Sequence, residues 1–173
     1  AMIYYFIDYA LFGLDPRGYH AINILWHLAN CVLVYLILFY MTSNAKLGLL
    51  VALLFAVHPT KSEAVSVISF RNDLIVAFYL LMSFLLYVRF RKTGNQRKFY
   101  LGGLLFFCLG VFAKEYAVVF PLLILFYDKL FCQKTSKSWA IYLPFVVITG
   151  IYLWIYKFVV PSTAFGNGDI ESI

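Results

Sequence analysis

Long apolar segments separated by short polar stretches constrain the fold of this chain more than any other feature. Apolar side chains dominate residues 20–41, 73–88, 99–127 and 139–160, and a helix needs about 20 such residues to cross roughly 30 Å of hydrocarbon. Charged residues make up only 13% of the sequence, about half the fraction typical of soluble globular domains. The sequence therefore predicts an all-α fold, a polytopic transmembrane helix bundle that forms a single domain over residues 1–173.

Basic residues in two loops indicate how the helices are oriented. Residues 89–98 contain five bases and no acid, and residues 128–137 are again basic. Short loops rich in lysine and arginine stay on the cytoplasmic side of a membrane. We therefore expect both loops to be cytoplasmic and residues 58–73 to face the opposite, outer side. The formal charge of +6 is explained by this topology and by contact with anionic lipid, and we expect no nucleic-acid partner.

Two apolar segments do not fit one ordinary crossing each. Residues 47–57 are short for a crossing, and they lead into a proline, which disfavours helix at the residue before it. Residues 99–127 as one helix would measure about 43 Å and would place Lys114 and Glu115 near the middle of the bilayer. We expect two short helices that meet at Lys114-Glu115 instead. The chain then has about six crossings, some of them short.

The first segment, residues 1–12, is too short to cross a bilayer. Its tyrosines and Asp8 are typical of a helix at the membrane interface or of the end of a truncated span. Because the apolar pattern begins without a leader, we expect this chain to be part of a longer protein. The three cysteines are far apart and indicate neither a disulfide framework nor a zinc site.

Ionisable residues gather between two apolar segments, in the stretch 58–73. Charges at membrane depth are costly, so such a cluster is a candidate functional site. The expected topology brings four bases to one outer face with three acids: His58, Lys61, Arg71 and Lys114 with Glu63, Asp73 and Glu115. Arginine and lysine can bind phosphate oxygens, and apolar walls can hold an acyl or prenyl tail.

A structural interpretation of the same charges stays open. Arg71 would then pair with Glu63 or Asp73, and Lys114 with Glu115, as ion pairs without a ligand. Glu63 also fits a capping box with Thr60, in which its side chain only closes the first turn of a helix.

A polar stripe marks the first long span. Its members recur at helical spacing and share one face: His20, Asn23, His27 and Asn30. We expect this stripe to face protein, where it either forms hydrogen bonds to neighbouring helices or contacts a polar headgroup. The two histidines would lie about 10 Å apart along the helix axis, so a shared metal ion is not expected.

Several short patterns follow one another in a fixed order. They are the run from Phe6 to His27 with Gly13-Leu14-Asp15-Pro16, then His58-Pro59 with Glu63-Ala64-Val65, Arg71-x-Asp73-Leu74, Lys114-Glu115 with Pro121, and Tyr127-Asp128. Over nearly the whole chain, this combination resembles the membrane half of the transmembrane and tetratricopeptide-repeat O-mannosyltransferases and related bacterial proteins, within the C-type glycosyltransferase superfamily. The resemblance implies transfer of a sugar from a polyprenyl-phosphate donor to a protein or glycan acceptor on the outer side of the membrane.

The resemblance also implies roles for individual residues. Arg71 and Lys114 would contact the donor phosphate, and His58 and Glu63 would shape the headgroup pocket. The same cavity would be supported by His20, Asn23, His27, Asp73 and Glu115. The catalytic acid of the superfamily lies in a first outer loop, which we expect upstream of this chain. No catalytic base is therefore assigned, the fragment alone is expected to be inactive, and neither a metal nor a bound cofactor is expected.

Two other classes of membrane protein fit the same charges. A transporter or flippase-like protein for an anionic amphiphile would line its substrate path with them, and a membrane scaffold would only pair them. A glycosyltransferase predicts an acidic outer loop in upstream sequence, whereas a transporter predicts broken helices in inverted halves. The general character of the chain favours a bacterial inner membrane, with the endoplasmic-reticulum membrane as the alternative.

Overall fold

The computed structural model describes residues 2–58, 70–94, 96–132 and 139–159. For residues 2–5, 7 and 159 it describes the backbone alone. Within these ranges the chain forms seven α-helices and no strand, so the all-α prediction is confirmed. The helices are α1 (Met2–Phe12), α2 (Pro16–Thr42), α3 (Ala45–Ala56), α4 (Arg71–Lys92), α5 (Arg97–Ala113), α6 (Phe120–Phe131) and α7 (Leu143–Val159). Short 3₁₀ helices, Glu115–Val119 and Trp139–Ile141, precede α6 and α7.

Local capping explains where the first long helix begins and ends. The side chain of Asp15 accepts a hydrogen bond from the backbone amide of Arg17 at 2.9 Å, and Pro16 has the backbone angle that a first helical residue needs. Ser43 adopts a left-handed conformation with a φ of 57°, which ends α2. Asn44 then caps α3 by accepting from the amide of Leu47 at 3.1 Å. α2 and α3 are therefore two helices joined by a tight turn.

The core lies where α4 and α5 pack as a hairpin. Ser83 donates a hydrogen bond to the carbonyl of Gly103 at 2.7 Å, and a Cβ on Gly103 would lie 3.3 Å from the carbonyl oxygen of Ser83. The two backbones approach this closely because position 103 has no side chain. Around this contact lies a cluster of buried apolar residues that includes Tyr87, Val88, Phe107, Val111, Ile124 and Phe145.

The chain breaks between α5 and α6 at Lys114, whose backbone is extended, with φ −160° and ψ 145°. Pro121 lies in the first turn of α6, where its missing amide removes no helical hydrogen bond. Phe120 then stacks on Phe107, with ring centroids 5.0 Å apart, and Tyr127 packs on Phe84 at 5.5 Å. α6 therefore turns back from the end of α5 and packs against both α5 and α4, and the prediction of two short helices meeting at Lys114-Glu115 is confirmed.

Side-chain contacts give the direction of each helix. Arg71, which begins α4, contacts Tyr19 near the start of α2, and Arg89 near the end of α4 donates to the hydroxyl of Tyr40 at 2.7 Å. α2 and α4 are therefore parallel. We call the end where α4 begins the Arg71 end and the opposite end the Asp128 end. α7 runs from the Asp128 end, because Tyr142 contacts Asp128 whereas the Tyr152 ring lies 6.1 Å from Phe112.

Helices α2 to α7 thus alternate in direction, as the predicted topology requires. α2 and α4 are long and apolar enough to cross a membrane, and Ala45–Ala56 and Leu143–Phe158 are shorter apolar helices. Large apolar side chains on the outward faces are exposed, among them Leu25, Leu50, Leu105, Leu122 and Trp154. Exposed apolar surface of this extent favours a lipid environment. The number of crossings, six, stays a prediction.

Candidate functional site

Arg71 is a fully buried arginine that holds three helices together at the Arg71 end. Its Nε donates to Oδ1 of Asn23 at 2.8 Å, and its Nη2 donates to the carbonyl oxygen of Tyr19 at 2.9 Å. Its Nη1 forms an ion pair with Asp8, whose side chain is also buried. The guanidinium therefore connects α1 and α2 to the first residue of α4. Its fixed fork of donors suits this arrangement better than the single ammonium of lysine would.

These partners bear on the predicted phosphate contact of Arg71. Because Asp8 occupies one arm of the guanidinium, a phosphate reaches Arg71 only if Asp8 is displaced. The structural interpretation had Arg71 paired with Glu63 or Asp73; among the described residues its acidic partner is Asp8, not Asp73, and the pairing with Glu63 stays a prediction. Glu63 lies outside the described residues. The phosphate-binding role of Arg71 stays a prediction.

The second polar group at this end is formed by Asp73, Lys114 and Tyr116. We call these three residues the Asp73 triad. Oδ1 of Asp73 forms an ion pair with Nζ of Lys114 and accepts a hydrogen bond from the hydroxyl of Tyr116 at 3.0 Å. Nζ of Lys114 lies 5.2 Å from the centre of the Tyr116 ring, a cation–π contact. The chain therefore brings together Asp73 and Lys114, whereas the structural interpretation of the sequence paired Lys114 with Glu115.

The triad is open to solvent and keeps its hydrogen bonds at neutral pH. The side chains of Lys114 and Asp73 are 35% and 33% exposed. Burial, followed by the hydrogen bond to Asp73 and the negative charge of Asp73, raises the pKa of Tyr116 above its ordinary value. The phenol therefore stays protonated and remains a donor to Asp73.

The polar stripe on α2 faces neighbouring helices. Asn23 accepts from Arg71, and Asn30 donates to the carbonyl oxygen of Leu74 at 2.9 Å. Nε2 of His27 lies 3.2 Å from the carbonyl oxygen of Ala56, at the end of α3. The expectation that the stripe faces protein is met by these three residues. The predicted support of a donor cavity by Asn23, His27 and the half-buried His20 stays a prediction.

The remaining predicted site residues are less well defined. His58 is exposed just beyond α3, and Glu115 is exposed at the start of its 3₁₀ helix. Lys61 and Glu63 lie outside the described residues. Over the ranges that the structure describes, no group of three or more His, Cys, Asp or Glu side chains is placed to hold a metal ion. The roles of His58, Glu63 and Glu115 stay predictions.

Sequence reasoning missed a buried network around Asp128 at the other end. Oδ2 of Asp128 accepts hydrogen bonds from the hydroxyls of Tyr87 at 2.6 Å and Tyr142 at 2.5 Å, and Oδ1 lies 3.0 Å from Nε of Arg91. Burial, followed by the hydrogen bond to Asp128 and its charge, raises the pKa of Tyr142 to about 12. Asp128 had been placed in a basic loop. It lies inside α6, and the signal that could have found it is an acid among bases directly after an apolar run of the sequence.

The chain is similar to several vertebrate proteins named protein O-mannosyl-transferase. Its alignment with human protein O-mannosyl-transferase TMTC4 is 38% identical over 97 residues and covers 49% of this chain and 13% of that protein. Identity to human TMTC1 is 40% over 85 residues, and to human TMTC3 32% over 90 residues, in each case 10% of the relative. No family model and no solved structure matches.

The matches confirm the predicted resemblance over about half of the chain, a shorter stretch than the nearly complete coverage expected from the short patterns. The aligned part is only 9–13% of the length of these relatives. The likeness therefore links this chain to one segment of proteins that are named protein O-mannosyl-transferase.

Proposed function

We propose that this chain is the donor-binding part of a membrane glycosyltransferase that takes a sugar from a polyprenyl phosphate. The observation that carries the proposal is the identity of 38–40% to proteins named protein O-mannosyl-transferase, across half of the chain. On this basis the transferred sugar is mannose and the acceptor is a protein hydroxyl group. The relatives are vertebrate proteins, which fits the endoplasmic-reticulum alternative and leaves the source membrane a prediction.

The geometry at the Arg71 end supports a site for a lipid-linked phosphate. Lys114 presents a partly exposed ammonium at the tip of an apolar bundle, beside helices whose outward faces are lined by leucine. An amphiphile needs this combination, because its phosphate requires a cation and its prenyl tail requires apolar surface. Arg71 would join Lys114 at the phosphate after exchanging its ion pair with Asp8.

Two requirements define the chemistry of the proposed reaction. Transfer from a phosphate-linked sugar needs positive charge to stabilise the departing lipid phosphate and a carboxylate base for the acceptor hydroxyl. Lys114 meets the first requirement by holding its ammonium near the phosphate oxygens. We propose that the second is met outside this segment, on an outer loop of the longer protein.

The side of the membrane follows from charge. Bases concentrate at the Asp128 end, at Arg89, Lys92, Arg97, Lys98 and Lys129. Under the positive-inside rule we propose that this end is cytoplasmic and that the Arg71 end, with Lys114, is on the non-cytoplasmic side.

The test is mannose transfer by the full-length protein in nanodiscs, from short-chain polyprenyl-phosphate mannose to a peptide. Lys114→Gln should lower kcat/KM at least tenfold, because it removes a charged hydrogen-bond donor of about 1.5–3 kcal/mol. Lys157→Gln is the matched control, since Lys157 is an exposed lysine in the last turn of α7, which also lies at the Arg71 end. Unchanged transfer in Lys114→Gln, or no transfer by the wild-type protein, would overturn the proposal.

A further inference from the structure

The carboxylate of Asp73 uses its two oxygens unequally. Oδ1 takes both protein donors, the ammonium of Lys114 and the hydroxyl of Tyr116. Among the described residues no hydrogen bond or ion pair reaches Oδ2. The side chain is about a third exposed, at 33%. Asp73 therefore presents one fixed and one available acceptor oxygen at the Arg71 end.

Tyr116 determines where the available oxygen lies. Its hydroxyl donates to the oxygen that also pairs with Lys114, so two donors from the break between α5 and α6 hold one edge of the carboxylate. A carboxylate held at one oxygen by two donors has little freedom to rotate. The second oxygen then has a defined direction, beside the Lys114 ammonium.

We propose that Oδ2 of Asp73 accepts a hydrogen bond from a hydroxyl group that lies next to the lipid phosphate, and that Tyr116 is the residue that positions Asp73. An ionised carboxylate accepts hydroxyl hydrogen bonds strongly, and a sugar joined to a phosphate supplies hydroxyl groups within a few ångströms of the phosphate oxygens. Lys114 thus binds the phosphate and Asp73 the hydroxyl. The hydroxyl belongs to the sugar of the donor, and a hydroxyl of the acceptor is the other outcome that the test distinguishes. The inference rests on the proposed donor site and adds a residue that distinguishes a sugar-bearing lipid from a bare lipid phosphate.

The experiment measures affinity for two probes in nanodiscs that contain the full-length protein. The probes are a short-chain polyprenyl phosphate and the same lipid with mannose on its phosphate. Asp73→Asn should weaken binding of the mannosylated lipid about tenfold, because a hydrogen bond to a charged acceptor is lost. Binding of the bare lipid should stay equal or tighten, because Lys114 loses its competing carboxylate.

Tyr116→Phe is the milder variant, because it keeps the ring beside Lys114 and removes only the hydroxyl. It should reduce the preference for the mannosylated lipid about threefold and leave the bare lipid unchanged. Asp15→Asn is the matched control for Asp73, since Asp15 is an exposed carboxylate near the same end that only caps α2. Tyr156→Phe is the control for Tyr116. The readout is the ratio of the affinities for the mannosylated and the bare lipid. A general loss of folding would weaken binding of both lipids and would not selectively lower the affinity for the mannosylated one.

The outcomes separate the inference from the function on which it rests. Loss of the ratio in Asp73→Asn supports a sugar hydroxyl, and an unchanged ratio with a raised KM for the acceptor peptide supports an acceptor hydroxyl. The inference is overturned if Asp73→Asn weakens binding of both lipids equally, or if it changes neither the affinity ratio nor the KM for the peptide. The proposed function stays intact in either case if the wild-type protein binds the lipids. Failure of the wild-type protein to bind either lipid overturns both.

Discussion

The two ends of the bundle use nearly the same side chains in opposite ways. At each end an aspartate is held by one base and by tyrosine hydroxyls: Asp128 by Arg91, Tyr87 and Tyr142, and Asp73 by Lys114 and Tyr116. At the Asp128 end the side chains of Arg91 and Asp128 are only 3% and 7% exposed, whereas those of Lys114 and Asp73 are a third exposed.

The difference teaches that solvent exposure of the side chains, and not their composition, separates a structural ion-pair network from a candidate ligand-binding site. In the buried network Oδ2 of Asp128 accepts from two tyrosines and Oδ1 faces Nε of Arg91, and the side chain is buried, so neither oxygen can be reached by a ligand. In the Asp73 triad one carboxylate oxygen is available and the ammonium of Lys114 is partly exposed, so a ligand can reach both groups. Removing a partner from a buried ion pair costs about 3–5 kcal/mol, and an exposed pair is worth about 0–1 kcal/mol. The predictions below test this contrast.

The largest effect is expected for Asp128→Ala. The change leaves Arg91 buried without its acid and two tyrosine hydroxyls without their acceptor, so unfolding free energy should fall by about 3–5 kcal/mol. The same substitution at Asp73 should cost less than about 1 kcal/mol. Reversible unfolding in detergent micelles measures both. Equal losses at the two positions would show that the two ends do not differ in the way proposed here.

Arg71→Met should come next, with a loss of about 3 kcal/mol. It keeps much of the volume of the side chain but leaves Asp8 buried without a cation. Adding Asp8→Asn to this variant should restore part of the stability, because the stranded charge is removed as well. The double-mutant cycle in the same unfolding assay gives the coupling between the two residues. Additive losses would contradict the ion pair between α1 and α4.

Tyr87→Phe should cost about 1.5–3 kcal/mol, the net value of a hydrogen bond to a charged group. Tyr87 is buried, and its hydroxyl donates to Asp128. Tyr35→Phe, at a half-buried tyrosine of α2 that stacks on Phe39, is the matched control and should be nearly neutral. A larger loss at Tyr35 than at Tyr87 would contradict the assignment.

The smallest effect is a pH dependence carried by Tyr142. Its pKa is raised from 10.0 to about 12 in the folded protein, so the folded state holds its proton more tightly than the unfolded state. The stabilisation is therefore complete below pH 10 and is lost as the pH rises from 10 towards about 12. Ultraviolet titration of tyrosinate should lose a component near pH 12 in Tyr142→Phe. A lost component near pH 10 would contradict the buried hydrogen bond.

Sequence patterns predicted the helices better than the partners of individual side chains. The break at Lys114 was predictable because two basic loops could lie on one side only if the apolar segment between them turned back. The turn that ends α2 was predictable from Thr42 to Asn44, where polar residues interrupt the apolar run. Periodicity and loop charge report which face and which end a residue occupies, and these are properties of one helix at a time.

The pairings of Arg71 and Asp128 were not predictable in this way. Asp8 lies in a short segment whose composition is typical of a membrane interface, and no spacing rule connects it to α4. Asp128 follows an apolar run of the sequence and precedes bases, so its position along the chain indicates a solvated loop. Its two tyrosine partners come from α4 and from the turn before α7. Such contacts depend on how several helices pack, and a single sequence does not specify that packing.

The position of Arg71 along the chain also sets an order of events during synthesis. Arg71 follows Asn23 by 48 positions and Tyr19 by 52, so both partners leave the ribosome well before the arginine that binds them. Asp8 precedes both of these partners in the chain and leaves the ribosome earlier still. The contacts of Asp8, Tyr19 and Asn23 with Arg71 therefore form only after the start of α4 has been made, and Asp8 lacks this cation until then.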